Sequence, residues 1–484
     1  MKRSFILAAA AIAAVFAIAP EARADDAGAY MDSGLAHFHK GDFDLALADF
    51  TQAIRLDPDF ADAFFLRGLA HSRKGDIDLA LADFAQAIRI YPNLDAALFH
   101  RGLAHSRRGD LDLAIADFTE VIRINPNHAS AFFYRGLEHS RRGDLDLAIA
   151  DYTQSIRINP NSANAFFNRG LDHFRRGDMD LAVADYTEAI RINPDHEGAF
   201  FNRGVINFNR RNLDLAVEDF TQAVRIDPDH ANAFFSRGLA HSNMGSSALA
   251  IADFAQAIRI DPNHASAFFN RGLEHSNMGN PALAIADFTQ VARIYPNFAD
   301  AFFHRGAEHS RRGDLALAIA DFAQAIRINP NDARAFFSRG LAHSNMGNSD
   351  YAIADFAQVI RINPNHVSAL FNRGTLHLNK GSYALAIADY TQAILVNPNF
   401  AGAFFNRAIA HYSMGSRALA IADYTQVVRL EPNNTRALFY RGIAHFGGGD
   451  FDNAIADWES VLRINPDHAP ARSNIETARR VRGW

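Results

Sequence analysis

The chain has 484 residues, 49% of them hydrophobic and 21% charged, ample material for a packed core. Its net charge of −6 lacks the basic excess that phosphate backbones demand, which argues against nucleic acid as a partner. With no cysteine there is no disulfide framework, no thiol nucleophile and no lipid-modified thiol, so the fold must stand on packing alone.

The chain opens MKRSFILAAAAIAAVFAIAPEARA: a basic start (Lys2, Arg3), an apolar run from Phe5 to Ala19, then Ala22-Arg23-Ala24. That is the layout of a secretory signal peptide over 1–24, with cleavage expected after Ala24. The run is too short to span a bilayer, so no stable membrane span is expected after cleavage. Losing Lys2, Arg3 and Arg23 together with Glu21 takes the net charge from −6 to −8. A periplasmic or secreted location follows, and with it a bacterial source.

From Pro58 to Pro466 a proline recurs every 34 residues, an interval that signals tandem repeats. Numbered from Ala27, thirteen units fill 27–60 through 435–468, each proline falling at position 32. Apolar residues at helical spacing predict two helices per unit, at positions 1–14 and 17–30. Position 15 is Gly in every unit but the sixth, which has Arg211, and position 16 is Asp, Asn or Ser throughout. This predicts a left-handed helix end followed by a side-chain N-cap. Position 33, always Asn or Asp, is the expected cap of the next first helix. Position 8 is Gly in twelve units, with Ala408 the exception, and position 20 is Ala in all, letting two helices approach closely. Residues 469–484 have the polar pattern of a helix that caps the last unit.

These units, with an aromatic at 4, Gly at 8, Ala at 20, an aromatic at 24 and Pro at 32, resemble tetratricopeptide repeats over 442 of the 484 residues. The resemblance implies an all-α fold, a right-handed superhelical solenoid of antiparallel helix pairs. Two positions depart from the family pattern. Position 7, usually large and apolar, is Arg in twelve units, and position 11, usually Tyr, is His in twelve. An arginine beside the core needs a partner, and Asp fills position 23 of every unit. The first unit has Ser33 at position 7 yet keeps Asp49, so the expected ladder pairs Asp of one unit with Arg of the next, as in Asp151 with Arg169.

Arg-Gly-Asp occurs at 108–110, 142–144, 176–178 and 312–314, always at positions 14–16, where other units carry different residues in the same turn. It reads as turn chemistry and not as an adhesion motif. The position-11 histidines would stack about 10 Å apart, the spacing of packed helices, too far for neighbouring rings to share a metal. No metal site is therefore expected. They read as half-buried, neutral rings in the place of tyrosine, which makes stability fall below about pH 6.5. The histidines at position 34 (His128, His196, His230, His264, His366, His468) are expected to be solvated. No catalytic or cofactor motif is present, so neither an enzyme nor a cofactor is expected.

The resemblance further implies that positions 2, 5, 6, 9, 12 and 13 face a concave groove. Position 5 is then a row of phenylalanines, among them Phe133, Phe167, Phe201, Phe235 and Phe269. They either line the groove or pack between neighbouring first helices. Position 6 supplies Asn168, Asn202, Asn270, Asn372 and Asn406, and position 13 supplies Arg141 and Arg175, then Asn243 and Asn277. An amide side chain donates and accepts at once, so such a row suits an extended peptide backbone. The family's carboxylate clamp requires Lys at 5 and Asn at 9, which this chain lacks. The expected function is an exported scaffold that binds a protein or peptide; a glycan-binding adaptor in envelope polysaccharide export is the alternative.

Overall fold

In the computed structural model, which describes residues 20–483, every element among the described residues is an α-helix, 27 in all. The chain divides at Met244/Gly245 into two compact bodies, each a tandem row of antiparallel helix pairs. Of the expected leader over 1–24, residues 1–19 lie outside the described residues. The first described helix runs Pro20–Lys40, seven residues longer at its start than the repeat phase predicts. From the second unit onward the predicted phase holds: Ala61–Lys74 with Ile77–Ile90, and Ala129–Arg142 with Leu145–Ile158. A final helix, Ala469–Arg482, packs Ala471, Ile475 and Ala478 against Trp458 and Val461.

The core of each unit is one contact repeated. Position 20 alanines and position 24 aromatics, such as Ala148 with Tyr152 or Ala216 with Phe220, are fully buried. The position-24 ring lies against the position-8 glycine of the partner helix. A methyl group on Gly68 would meet the Phe84 ring at 2.7 Å, and one on Gly170 would meet Tyr186 at 2.8 Å. That is closer than carbon atoms approach, so glycine is what lets the two helices close over the ring.

The turn between the helices needs a left-handed residue at position 15, with φ of 89° at Gly75 and 92° at Gly143. Arg211 is forced to the same conformation, at φ 64°, the one positive-φ residue other than glycine among those described. A side chain there costs about 1–2 kcal/mol. Arg211→Gly should therefore stabilise the protein by about 1 kcal/mol, read as a higher urea midpoint, against the loss of an exposed hydrogen bond to Asn243.

The arginine–aspartate ladder exists but runs within units, not between them. Arg169 Nε and Nη2 donate to Asp185 Oδ2 and Oδ1 at 2.9 and 2.7 Å. Arg67 with Asp83, Arg135 with Asp151, Arg305 with Asp321 and Arg407 with Asp423 repeat that fork. Positions 7 and 23 stand at one level on antiparallel helices, so each Asp already faces the Arg of its own unit. The link between units is the third nitrogen: Arg169 Nη1 donates to Thr153 of the preceding unit at 3.0 Å, and Arg135 Nη1 to Thr119. The guanidinium also lies over the position-4 ring, as Arg169 does over Phe166 at 5.5 Å. Asp49 persists without an arginine because Ser33 and His37 of its own unit bond to it.

The caps also differ from expectation. First helices are capped from position 34, not position 33, because the chain turns once more after the proline. His128, His196, His264, His366 and His468 accept the backbone N–H three residues on through Nδ1, as His128 does from Ala131 at 3.0 Å. These rings are structural, not solvated. Position 16 does start the second helix, but Asp110 and Asp144 make no side-chain cap there. Their carboxylates pair instead with Arg108 and Arg142 in the same turn, so each Arg-Gly-Asp closes on itself. Asp450, which accepts from Asn453 N–H, is an exception.

Candidate functional site

The first-helix face of each body gathers the residues singled out from the sequence, and burial sorts them into three layers. The phenylalanine row is half-buried, which joins both readings. One side of each ring is stitched into the repeat: Phe133 meets Tyr152 at 5.9 Å, Phe167 meets Tyr186 at 5.8 Å and the His196 cap at 4.6 Å, and Phe201 meets His230 at 4.8 Å. Phe269 sits against Phe288 and Phe298. The other side stays open, so Phe133, Phe167, Phe201, Phe235 and Phe269 all remain partly exposed.

The asparagines beside them are held in a common pose. Asn168 Nδ2 donates to the Asn164 carbonyl at 2.8 Å, Asn202 to Gly198, Asn270 to Ser266 and Asn372 to Ser368. Anchoring the amide nitrogen to the helix four residues back fixes the plane of the side chain and turns the oxygen away from the helix. Asn406 differs: it lies beside the Tyr390 hydroxyl, which itself donates to Thr375 at 3.1 Å. Further along, Asn243 and Asn277 are exposed, and Asn243 accepts from Arg211.

Arg141 and Arg175 stand on a layer that sequence reasoning missed. Each caps a buried acid at position 10, Glu138 or Asp172, while reaching the position-12 serine of the preceding unit. Ser140 donates to Asp172 at 2.8 Å and Ser106 to Glu138 at 2.6 Å, which ties neighbouring first helices together. Burial pushes the Asp172 carboxyl above the ordinary aspartate range and the Tyr152 hydroxyl strongly upward. The signal was visible as acids at position 10 of units four, five, eight and nine, where most other units carry alanine.

Two depressions result. One of about 490 Å³ lies between the first helices of units four and five, lined by Ser140, Arg141, Asn168, Leu171, Asp172 and Arg175. The other, of about 330 Å³, is aromatic and uncharged, lined by Phe269, Asn270, Val291, Tyr295 and Phe298. Tyr295 stands where most units carry Asn or Asp and is 59% exposed, so its ring serves as a wall and not as core. Among the described residues no group of three or more His, Asp or Glu side chains is placed to hold a metal ion. Nor is any described helix long and apolar enough to cross a membrane.

The tetratricopeptide repeat pattern matches residues 31–95, 99–163, 167–231, 201–265, 337–403 and 405–469, with further repeat matches at 265–298 and 308–347. The chain belongs to the tetratricopeptide repeat family. Among solved structures, this repeat chain is similar to YrrB, described as a tetratricopeptide repeat protein with an unusual peptide-binding site. The two share 22% identity over 38% of this chain and 95% of that one, with a TM-score of 0.36. A tetratricopeptide repeat protein from Parabacteroides merdae shares 18% identity over 51% of this chain and 98% of that one, TM-score 0.37. The Cut9–Hcn1 assembly matches at 15% over 94% and 97%, TM-score 0.33. No curated protein sequence matches this chain. As a tetratricopeptide scaffold, the protein has a fold typical of protein–protein interaction.

Proposed function

We propose that the first-helix face of each body forms a groove holding an extended polypeptide, in a protein exported to the bacterial periplasm or beyond. The observation that carries this reading is the common pose of the asparagines. Four of them present an amide oxygen at one repeated position, each beside a half-open phenylalanine. An extended strand offers a backbone N–H at regular intervals, so the row binds main chain while the phenylalanines take apolar side chains. The uncharged depression at Tyr295 and Phe298 suits one such side chain as an anchor.

The test is capture of a partner from the native envelope fraction by crosslinking and pull-down. Replacing Asn168, Asn202 and Asn270 together with Ala removes three oxygens without touching the Arg–Asp ladder, and should weaken binding at least tenfold. Full retention of the partner by that variant sinks the groove reading. Binding of defined oligosaccharides with no protein captured would favour the glycan alternative instead.

A further inference from the structure

The second helices carry a feature that neither the core nor the first-helix face explains. Position 19 is Leu in eleven of thirteen units. In the first body, Leu45, Leu79, Leu113, Leu147, Leu181 and Leu215 are each 50–54% exposed. A single exposed leucine needs no explanation, but six in register on one face do. Helix propensity does not account for them, since Ala, Glu, Lys and Gln are equal or close to Leu there.

The first two leucines each have a depression beside them. Gly41 to Leu45 with Lys74 line one of about 300 Å³, and Gly75 to Leu79 with Arg108 line its counterpart one unit on, about 410 Å³. Over these two units a knob and a hollow alternate at the repeat interval, and the leucine and its flanking glycine turn recur at the same positions through the fifth unit. Charges alternate along this face in the first body, because the basic residue at position 14 of units two to six pairs with the position-18 aspartate of the unit before. Lys74 pairs with Asp44, Arg108 with Asp78, Arg142 with Asp112 and Arg176 with Asp146.

We propose that this face is a docking surface for a second copy of the same chain. A partner must present knobs, hollows and both signs of charge at the same spacing over several units, and another copy does so by construction. A two-fold arrangement sets the leucines of one copy into the hollows of the other. It also brings each position-14 cation towards a position-18 aspartate of its partner, an isologous and self-complementary contact. Six units of about 10 Å each, one helix of about 10–12 Å wide, present roughly 600 Å², close to the ~800 Å² per partner of a standard interface. A lipid surface fits poorly, because Asp44, Asp78, Asp112 and Asp146, each at least 85% exposed, would have to enter it with the leucines.

Sedimentation velocity on the full chain tests this. A dimer is expected at about 10 μM, weakened at least 100-fold in Leu113→Asp/Leu147→Asp/Leu181→Asp. These sites are solvent-facing, so helical circular dichroism and the melting temperature should be retained, which separates lost docking from lost folding. As a second measurement, Arg142→Asp with Arg176→Asp reverses two cations of the row and should weaken the dimer without altering the leucines. A wild-type chain that stays monomeric at about 100 μM overturns the proposal, as do variants that associate as the wild type does. Flotation of the monomer with vesicles of phosphatidylcholine and phosphatidylglycerol, lost in the leucine variant, would overturn it in favour of a membrane surface.

Discussion

Replacing Asp185 with alanine is expected to destabilise the protein by about 3–5 kcal/mol, among the largest effects any single substitution can have here. The carboxylate is almost fully buried, and its removal leaves the Arg169 guanidinium, about one-fifth exposed, without the fork that neutralises it. The double-mutant cycle between Arg169 and Asp185 should give a coupling of at least about 1.5 kcal/mol, while Asp151 with Arg169 should give less than about 0.5 kcal/mol. Only the first pair shares hydrogen bonds; Asp151 is held by Arg135. Urea unfolding of the four variants measures both. Equal couplings would mean that the ladder is delocalised across units and that the fork geometry does not determine stability.

Lowering the pH from about 7.5 to 5 is expected to destabilise the fold progressively. Burial lowers the pKa of His139, His173, His275, His343, His377 and His411 at position 11. The position-23 carboxylate beside each ring pulls the other way, and the neighbouring arginine adds to the lowering, so burial prevails. Burial does the same to His100 and His304, and to the His196 cap. Above the unfolded value of about 6.5 these rings are neutral whether folded or not, and their contribution to stability is complete. As the pH drops through 6.5 the unfolded chain takes up protons that the folded chain resists, so stability falls until the lower folded values are reached. The His196 cap reinforces the trend, because its Nδ1 accepts the Ala199 N–H only while it carries no proton. The urea midpoint should decrease steadily from pH 7.5 to 5, and His139→Phe/His173→Phe should reduce the slope. A flat profile would mean that the rings are paired as cations in the folded protein.

The phase of the repeat, the two helices per unit and the glycine turn were legible in the sequence because each is local chemistry. A left-handed turn needs Gly, and helical periodicity needs only neighbours along the chain. Position 8 was also legible, since a glycine in a helix interior signals something lying close against it. What the sequence could not decide is which of two identical partners a repeated residue meets. Asp151 and Asp185 are equivalent in sequence, and only the antiparallel packing of positions 7 and 23 places Arg169 against Asp185.

The same limit applies to the site. The asparagine and phenylalanine rows could be read from their spacing. Their pose could not, because an i to i−4 bond from Asn168 to the Asn164 carbonyl and a solvated amide leave the same sequence pattern. Five of the position-34 histidines became caps because the post-proline turn places the cap directly before the helix, one residue later than position 33, a shift within the ambiguity of any pattern. Sequence alone therefore determined the repeat and its local geometry, whose causes lie within a few residues. Tertiary structure decided the pairings, the buried Asp172 and Glu138, and which leucines face water, because those depend on how one helix lies against the next.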